Sequence, residues 1–438
     1  MAFQQNIDAC LAHDGAADLL PRKDLDALVA SLDPALHGLQ AMHRDKSLPL
    51  FQLPAARADL EPLRLIAQRW RTAFDHVVVL GTGGSSLGGQ TLYALADVGF
   101  GPSSKERSLG TPRVHFVDNI DPHTLSAMFD VLDLKVTGFI AISKSGKTAE
   151  TLTQFLIVLK MLRDALDDSR IAKHCLVVTE PGPNPLRRLA ERNGIAALDH
   201  DPKVGGRYSA LSVVGLLPAM IAGLDSEALR AGASGVLAEM LGARHARDCR
   251  AAVGAALHVA YMRRGVGISV LMPYVDRLSK LAMWWRQLWA ESLGKKGLGL
   301  TPAPAVGAID QHSQLQLYLD GPGDKLFTLL TTATAGQGDP IDGDLADDPD
   351  LAWIAERTIG DLMQAEAQAT LQTLAKRGRP VRHLRIGRLT ETELGGLMMH
   401  FMLETILAAR LMEVDPFDQP AVEEGKVLAR QLMLESAS

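Results

Sequence analysis

The chain has 438 residues, with 45 Lys+Arg against 51 Asp+Glu and a formal net charge of −6. Its hydrophobic and charged fractions, 47% and 22%, are those of a globular protein and argue against disorder and against a basic nucleic-acid scaffold. Because one core stops growing near about 250–300 residues, this length divides most economically into two domains.

Cys10, Cys175 and Cys249 are odd in number, widely separated and without CxxC spacing, so neither a disulfide framework nor a zinc site is supported and a reducing cytoplasm fits best. The first residues, MAFQQNIDACLAHDG, lack a basic start followed by an apolar stretch. No run reaches the ~18 apolar residues of a membrane span, so secretion and membrane insertion are disfavoured.

Residues 1–75 read as helical, interrupted at Leu53-Pro54. From Val77 the pattern changes to short β-branched runs alternating with helix-length amphipathic segments: VVVL at 77–80, RVHFVDN at 113–119, GFIAIS at 138–143 and HCLVVTE at 174–180. Strands apolar on both faces and separated by helices predict a parallel sheet sandwiched between helices, hence the α/β class. A second series, GISVLMPY at 267–274, KLFTLLTT at 325–332 and VRHLRIG at 381–387, predicts another such sheet, with the boundary near residues 222–230. The Asp-rich stretch at 336–350 lacks the alternating acids of a calcium loop and reads as solvated. The basic stretch KRGRPVRHLR at 376–385 has no aromatic partners and reads as the exposed approach to a strand.

Two strand-to-helix turns carry chemistry. VVVLGTGGSSLGG runs a strand into a glycine-rich turn whose backbone can approach an anion, but the third glycine of a dinucleotide fingerprint is replaced by Ser86. AISKSGKTAETL imitates the end of a nucleotide P-loop, yet Ala141 stands where that loop needs glycine. What remains is a set of hydroxyls, Ser143, Ser145, Thr148 and Thr151, with Lys144 and Lys147, at a helix start. Such a set suits a phosphomonoester, and a simple helix cap is the alternative.

Further on, Glu291 continues the apolar stripe of Leu281, Trp284 and Leu288. Desolvation there would raise its pKa and suit a proton-transfer carboxylate; equally, the acid is structural and paired with a cation. Lys426 sits beside the Val422 and Ala429 stripe of a helix started by Asp418 and Pro420, where a lysine ordinarily snorkels. His312 and Arg207 are not informative alone.

Together, GTGGSSLGG and SKSGKTAET resemble the sugar-phosphate-binding sequences of the glucose-6-phosphate isomerase (phosphoglucose isomerase) family. VGGRYSALSVVGLLP at 204–218 resembles its signature, ESLGKKG at 291–297 its glutamate motif, and QHSQLQLY at 311–318 and DQPAVEEGKVLA at 418–429 its histidine and lysine segments. The resemblance implies two sugar-isomerase (SIS-type) αβα sandwiches at 51–224 and 225–412. A helical segment at 1–50 would pack on the second, and a C-terminal helical segment at 413–438 would carry a catalytic lysine. It implies reversible aldose–ketose isomerisation of glucose 6-phosphate and fructose 6-phosphate, with no metal or other cofactor and no nucleic-acid or membrane partner.

By the same resemblance, Gly84, Ser85, Ser143, Lys144, Ser145 and Thr148 would hold the substrate phosphate. His312 and Lys426 would open the sugar ring, and Glu291 would carry a proton between C2 and C1. Arg207 would stabilise the enediolate and Gln419 would orient hydroxyls. The family is usually homodimeric, so His312 is expected to act across an interface, in a cytoplasmic enzyme. SKSGKT replaces the family's usual SKTFTT, and ESLGK the common ESNGK, which bears on substrate breadth rather than reaction class. A bifunctional phosphoglucose/phosphomannose isomerase and a non-catalytic sugar-phosphate-binding regulator are the rival readings.

Overall fold

The structure, a computed structural model, describes residues 3–13, 16–100 and 110–435. The chain opens with a short strand, β1 (Gln4–Asn6), and then runs through helices Arg22–Ala30, Asp33–Arg44 and Leu60–Ala73. A first sheet follows, built from β2 (His76–Leu80), β3 (Arg113–Val117), β4 (Thr137–Ile142), β5 (Cys175–Thr179) and β6 (Ala196–Asp199) in the order β3-β2-β4-β5-β6, all parallel. The second sheet contains β7 (Ile268–Pro273), β8 (Thr301–Pro304), β9 (Lys325–Thr331) and β10 (Val381–Arg385). Its order is β8-β7-β9-β10-β1, parallel except for β1, which pairs antiparallel with β10.

Alternation along the strands divides the interior into layers. In the first sheet Val77, Val79 and Ile140 face a large core that continues to Leu271, Leu326 and Leu330 of the second sheet. Between the sheets, helices Val213–Ile221, Ser226–Gly242, Arg250–Arg263, Ser279–Leu293 and Glu391–Met412 supply most of that core. On the outer faces, Val78, Leu80 and Phe139 pack on Phe155 and Leu162 of helix Ala149–Ala165. Val270, Phe327 and Leu329 pack on Leu374 of helix Ile359–Lys376. Helix Glu391–Met412 has the length and apolarity of a membrane span, but 89% of its apolar window is buried within the fold.

Three strands depart from the sequence reading. β1 lies inside the segment read as wholly helical, and its polar sequence forms an edge. β6 is short, and β8 is an edge strand holding Pro302 and Pro304, which a central strand would not accept. Arg382, in the basic stretch expected to be exposed, is wholly buried and bound to the equally buried Glu404 at 2.5 Å. The Asp-rich segment 336–350 has no helix or strand, and its acids are exposed.

Candidate active site

In the first sheet β3 lies on one side of β2 and β4 on the other, so the loops leaving β2 and β4 turn away from each other. Such a switch in strand order opens a crevice at the carboxyl ends of the strands, the usual ligand position in open α/β sheets. Both glycine- and hydroxyl-rich segments emerge there.

After β2 the chain passes through Gly81 into a turn, Gly83–Ser85, and the helix Leu87–Tyr93. Gly81 rests against the Ile142 carbonyl, which places this turn beside the loop that follows β4. Gly84 meets the backbone of Gly206 and Arg207: a Cβ there would lie 2.3 Å from the Gly206 carbonyl carbon. A side chain at position 84 would therefore separate the phosphate-type loops from the Arg207 segment.

After β4, the Ser143 hydroxyl is buried and lies 2.8 Å from the Thr148 hydroxyl. The Lys144 ammonium pairs with Glu180 at 3.6 Å, and its carbonyl accepts from the Thr179 hydroxyl and the Glu180 N–H. Ser145 is exposed, and its hydroxyl accepts from the Lys147 N–H at 3.2 Å. Gly146 takes φ 62°, and a Cβ at this position would fall 1.8 Å from Asn184 Oδ1. The family's aromatic residue cannot occupy this loop conformation. Thr148 starts the 17-residue helix Ala149–Ala165 without a side-chain capping bond, so the amides of its first turn are left to another acceptor. No side chain caps this helix, and among the loop hydroxyls Ser145 accepts from a backbone amide.

Across the Gly84 contact lies Arg207, its side chain 3% exposed. All five of its N–H groups are engaged. Nε–H donates to Ser292 Oγ at 2.8 Å, Nη1 to Glu291 Oε2 at 3.1 Å and Gln419 Oε1 at 2.7 Å, and Nη2 to the carbonyls of Pro416 and Asp418 at 2.6 and 3.0 Å. Arg207 thereby fastens the C-terminal segment to helix Ser279–Leu293. Its carbonyl accepts from Trp284 Nε1, and Tyr208, whose hydroxyl burial pushes up to about 12, shares Ser292. Lys295 pairs with Asp418 at 2.6 Å and holds the same segment.

Glu291 lies in the last turn of helix Ser279–Leu293, where the buried stripe of Trp284 and Leu288 opens onto the crevice. Its carboxylate is 32% exposed, accepting from Arg207 on one oxygen and from Gln287 Nε2 at 3.0 Å on the other. The acid is thus partly exposed rather than desolvated, and it is paired with a cation, the alternative weighed above; Arg207 and Gln287 fix its orientation.

One chain thus brings together Gly84, Ser85, Arg207, Glu291 and Gln419, with Ser143, Lys144, Ser145 and Thr148 on the adjoining loop. It leaves His312 and Lys426 outside. His312 is exposed at the end of the turn Ile309–Gln311. Lys426 points to solvent from helix Glu423–Glu435, which has no buried residue, and pairs with Glu423 at 2.7 Å. Sequence reasoning overlooked Gln287, Ser292, Tyr208 and Lys295. Only Gln287 carried a signal, lying four residues before Glu291 on the same helix face. Among the described residues no cluster of His, Cys, Asp or Glu could hold a metal.

Two αβα sandwiches, with a hydroxyl-rich strand-to-helix loop at the switch point of the first, give the fold of the SIS-type phosphosugar isomerases. Tagatose-6-phosphate ketose/aldose isomerase from Escherichia coli shares the fold at 12% identity, with a TM-score of 0.52 over 85% of this chain and 93% of that one. A hypothetical protein from Thermus thermophilus superposes with a TM-score of 0.84 at 32% identity, covering 98% and 99% of the two chains. The family model for phosphoglucose isomerase matches residues 67–300. Glucose-6-phosphate isomerase from Rubrobacter xylanophilus is 42% identical over 382 residues, 86% of each chain, and that from Carboxydothermus hydrogenoformans 34% identical over 417 residues, 93% of this chain and 89% of the relative. The chain belongs to the phosphoglucose isomerase family.

Proposed function

We propose that the chain catalyses the reversible isomerisation of D-glucose 6-phosphate and D-fructose 6-phosphate, a step of glycolysis and gluconeogenesis. Family membership supports the reaction class, and one observation in the fold supports the site. Glu291, steadied by Arg207 and Gln287, faces the crevice beside an anion loop whose helix amides are uncapped.

In this reading the phosphate sits on Ser143, Ser145, Thr148 and Ser85, with Lys144 beside it, and Gln419 orients the sugar hydroxyls. Once the ring is open, Glu291 removes the C2 proton of the aldose to give a cis-enediol as a proton passes from O2 to O1, and Glu291 then returns its proton to C1, leaving the ketose with its carbonyl at C2. Arg207 supports the negative charge that builds on the enediolate oxygens. With all five donors already engaged it does so as a fixed, buried charge that need not reorient during the reaction.

Ring opening is assigned to His312 and Lys426. Both sit on exposed segments of the single chain, which fits a homodimer in which His312 acts across the interface. Lys426 follows Gln419, whose bond to Arg207 anchors the start of its segment at the site. A cytoplasmic location is supported by three free, buried cysteines.

The test is to supply fructose 6-phosphate and follow glucose 6-phosphate through an NADP-reducing dehydrogenase, measuring mannose 6-phosphate in parallel. Glucose 6-phosphate alone is expected. Formation of both products would make the enzyme bifunctional, and saturable binding without turnover would make it a regulator.

A further inference from the structure

The two sheets share one connectivity. In the first, β2 is flanked by β3 and β4, with β5 beyond β4; in the second, β7 is flanked by β8 and β9, with β10 beyond β9. β9 is therefore the counterpart of β4, and the segment after β9 the counterpart of the anion loop after β4. At that position the second domain has a cavity of about 450 Å³, open at the carboxyl ends of β9 and β10 and roofed by helix Ile359–Lys376. The volume lies in the ~300–1,000 Å³ range of small-molecule sites.

The walls repeat the chemistry of the first loop with different residues. Thr331 and Thr332 supply hydroxyls where the first domain has Ser143, Ser145 and Thr148, while the Thr334 hydroxyl donates to the Gly360 carbonyl at 2.9 Å. Arg357 and Arg385 supply charge where it has Lys144 and Lys147. Guanidinium groups match a phosphate bidentately. Both arginines are exposed and neither guanidinium makes a hydrogen bond or close ion pair among the described residues, although the Arg357 charge is felt by the Asp361 carboxylate and the Arg385 charge by His383. Arg382, on the opposite face of β10, shows the contrast: all three of its guanidinium nitrogens are bonded, to Gln5, His400 and Glu404.

The carboxylate on the wall, Asp361, is occupied, accepting from the N–H groups of Gly336 and Thr358 at 2.9 and 2.8 Å and from the Thr358 hydroxyl at 2.9 Å. The acids of the Asp-rich segment 336–350 are not among the lining side chains. His383 lies 2.8 Å from the Thr331 hydroxyl, and burial holds its imidazole below the usual range, so it serves here as a neutral hydrogen-bonding group.

We propose that this cavity is a second ligand site, which takes a phosphomonoester of sugar-phosphate size through Arg357, Arg385 and the threonine hydroxyls. None of these residues belongs to the crevice around Glu291. A ligand here joins the end of β10 to the start of helix Ile359–Lys376, so it stabilises the second domain by mass action.

The test is calorimetric titration of the full chain with sorbitol 6-phosphate, a phosphomonoester without a carbonyl to isomerise. Wild type is expected to bind two per chain. Arg357→Gln with Arg385→Gln should weaken one site by about ten-fold or more while kcat and KM for fructose 6-phosphate stay unchanged. Ser143→Ala with Thr148→Ala should weaken the other. Thr332→Glu, which sets a carboxylate at the rim, gives a second route to the same loss should the double arginine variant fold poorly. One ligand per chain, lost with the Ser143 and Thr148 changes and untouched by the arginine or Thr332 variants, would overturn the proposal. Two ligands with neither site sensitive to Arg357, Arg385 or Thr332 would overturn it equally.

Discussion

Arg382 and Glu404 meet in the interior of the second domain with both side chains wholly buried, whereas Arg207 and Glu291 meet at the edge of the crevice, the arginine 3% and the glutamate 32% exposed. In the interior pair burial alone pushes the Glu404 carboxyl up, but Arg382, His400 and His258 outweigh it and hold the group well below the usual carboxylate range. Both Glu404 oxygens accept from Arg382, at 2.9 and 2.5 Å, and no side is left for another molecule. At the crevice every N–H of the arginine is engaged, but the glutamate retains a face toward solvent. What separates the crevice pair from the interior pair in this molecule is that one partner, the glutamate, keeps an open side.

Breaking the interior pair should have the largest effect. Glu404→Gln leaves Arg382 buried without its counter-charge, and a loss of about 3–5 kcal/mol is expected as a lower urea midpoint, with kcat of the folded fraction unchanged. Ser143→Ala with Thr148→Ala acts on the open side. Losing two hydroxyls that face a dianion should raise KM for fructose 6-phosphate about 10–100-fold with a smaller change in kcat.

Gly146→Ala tests whether the loop's shape matters apart from its hydroxyls. The strained φ and the collision with Asn184 should raise KM by roughly ten-fold, again with kcat largely kept. A gentler probe is pH. Burial pulls the His258 imidazole down to about 4, and His400 is lowered for the same reason. The unfolded chain therefore takes up protons that the folded chain refuses between about pH 6.5 and 4. Stability should be full above pH 6.5 and fall as the pH drops through that window, at up to about 1.4 kcal/mol per pH unit for each such histidine, as urea midpoints across the range would show.

Much of this was legible in the sequence because it is local. The β-branched runs at β2, β4 and β5 and the hydroxyls of SKSGKT sit in contiguous segments whose periodicity and turn chemistry can be read directly. β1, β6 and β8 are short or edge strands, with little periodicity to read. The details of the site were out of reach for a different reason: Arg207 and Glu291 are 84 residues apart, and Arg207 and Gln419 are 212 apart. Apolar spacing placed Glu291 on the correct helix, but only the helix end, where the stripe runs out into the crevice, made it accessible. Spacing puts Lys426 beside the Val422 and Ala429 stripe, where a lysine ordinarily snorkels to solvent. Its helix, Glu423–Glu435, has no buried residue, and the Lys426 ammonium pairs with Glu423 at the surface.

The central claim is that Glu291, held by Arg207 and Gln287, moves the proton between C2 and C1. Measuring kcat for fructose 6-phosphate and the affinity for sorbitol 6-phosphate in Glu291→Gln tests it most directly. kcat should fall by about 10²–10⁴-fold while affinity at the crevice stays nearly intact, because the amide keeps the shape and loses the base. Near-wild-type turnover in that variant would contradict it.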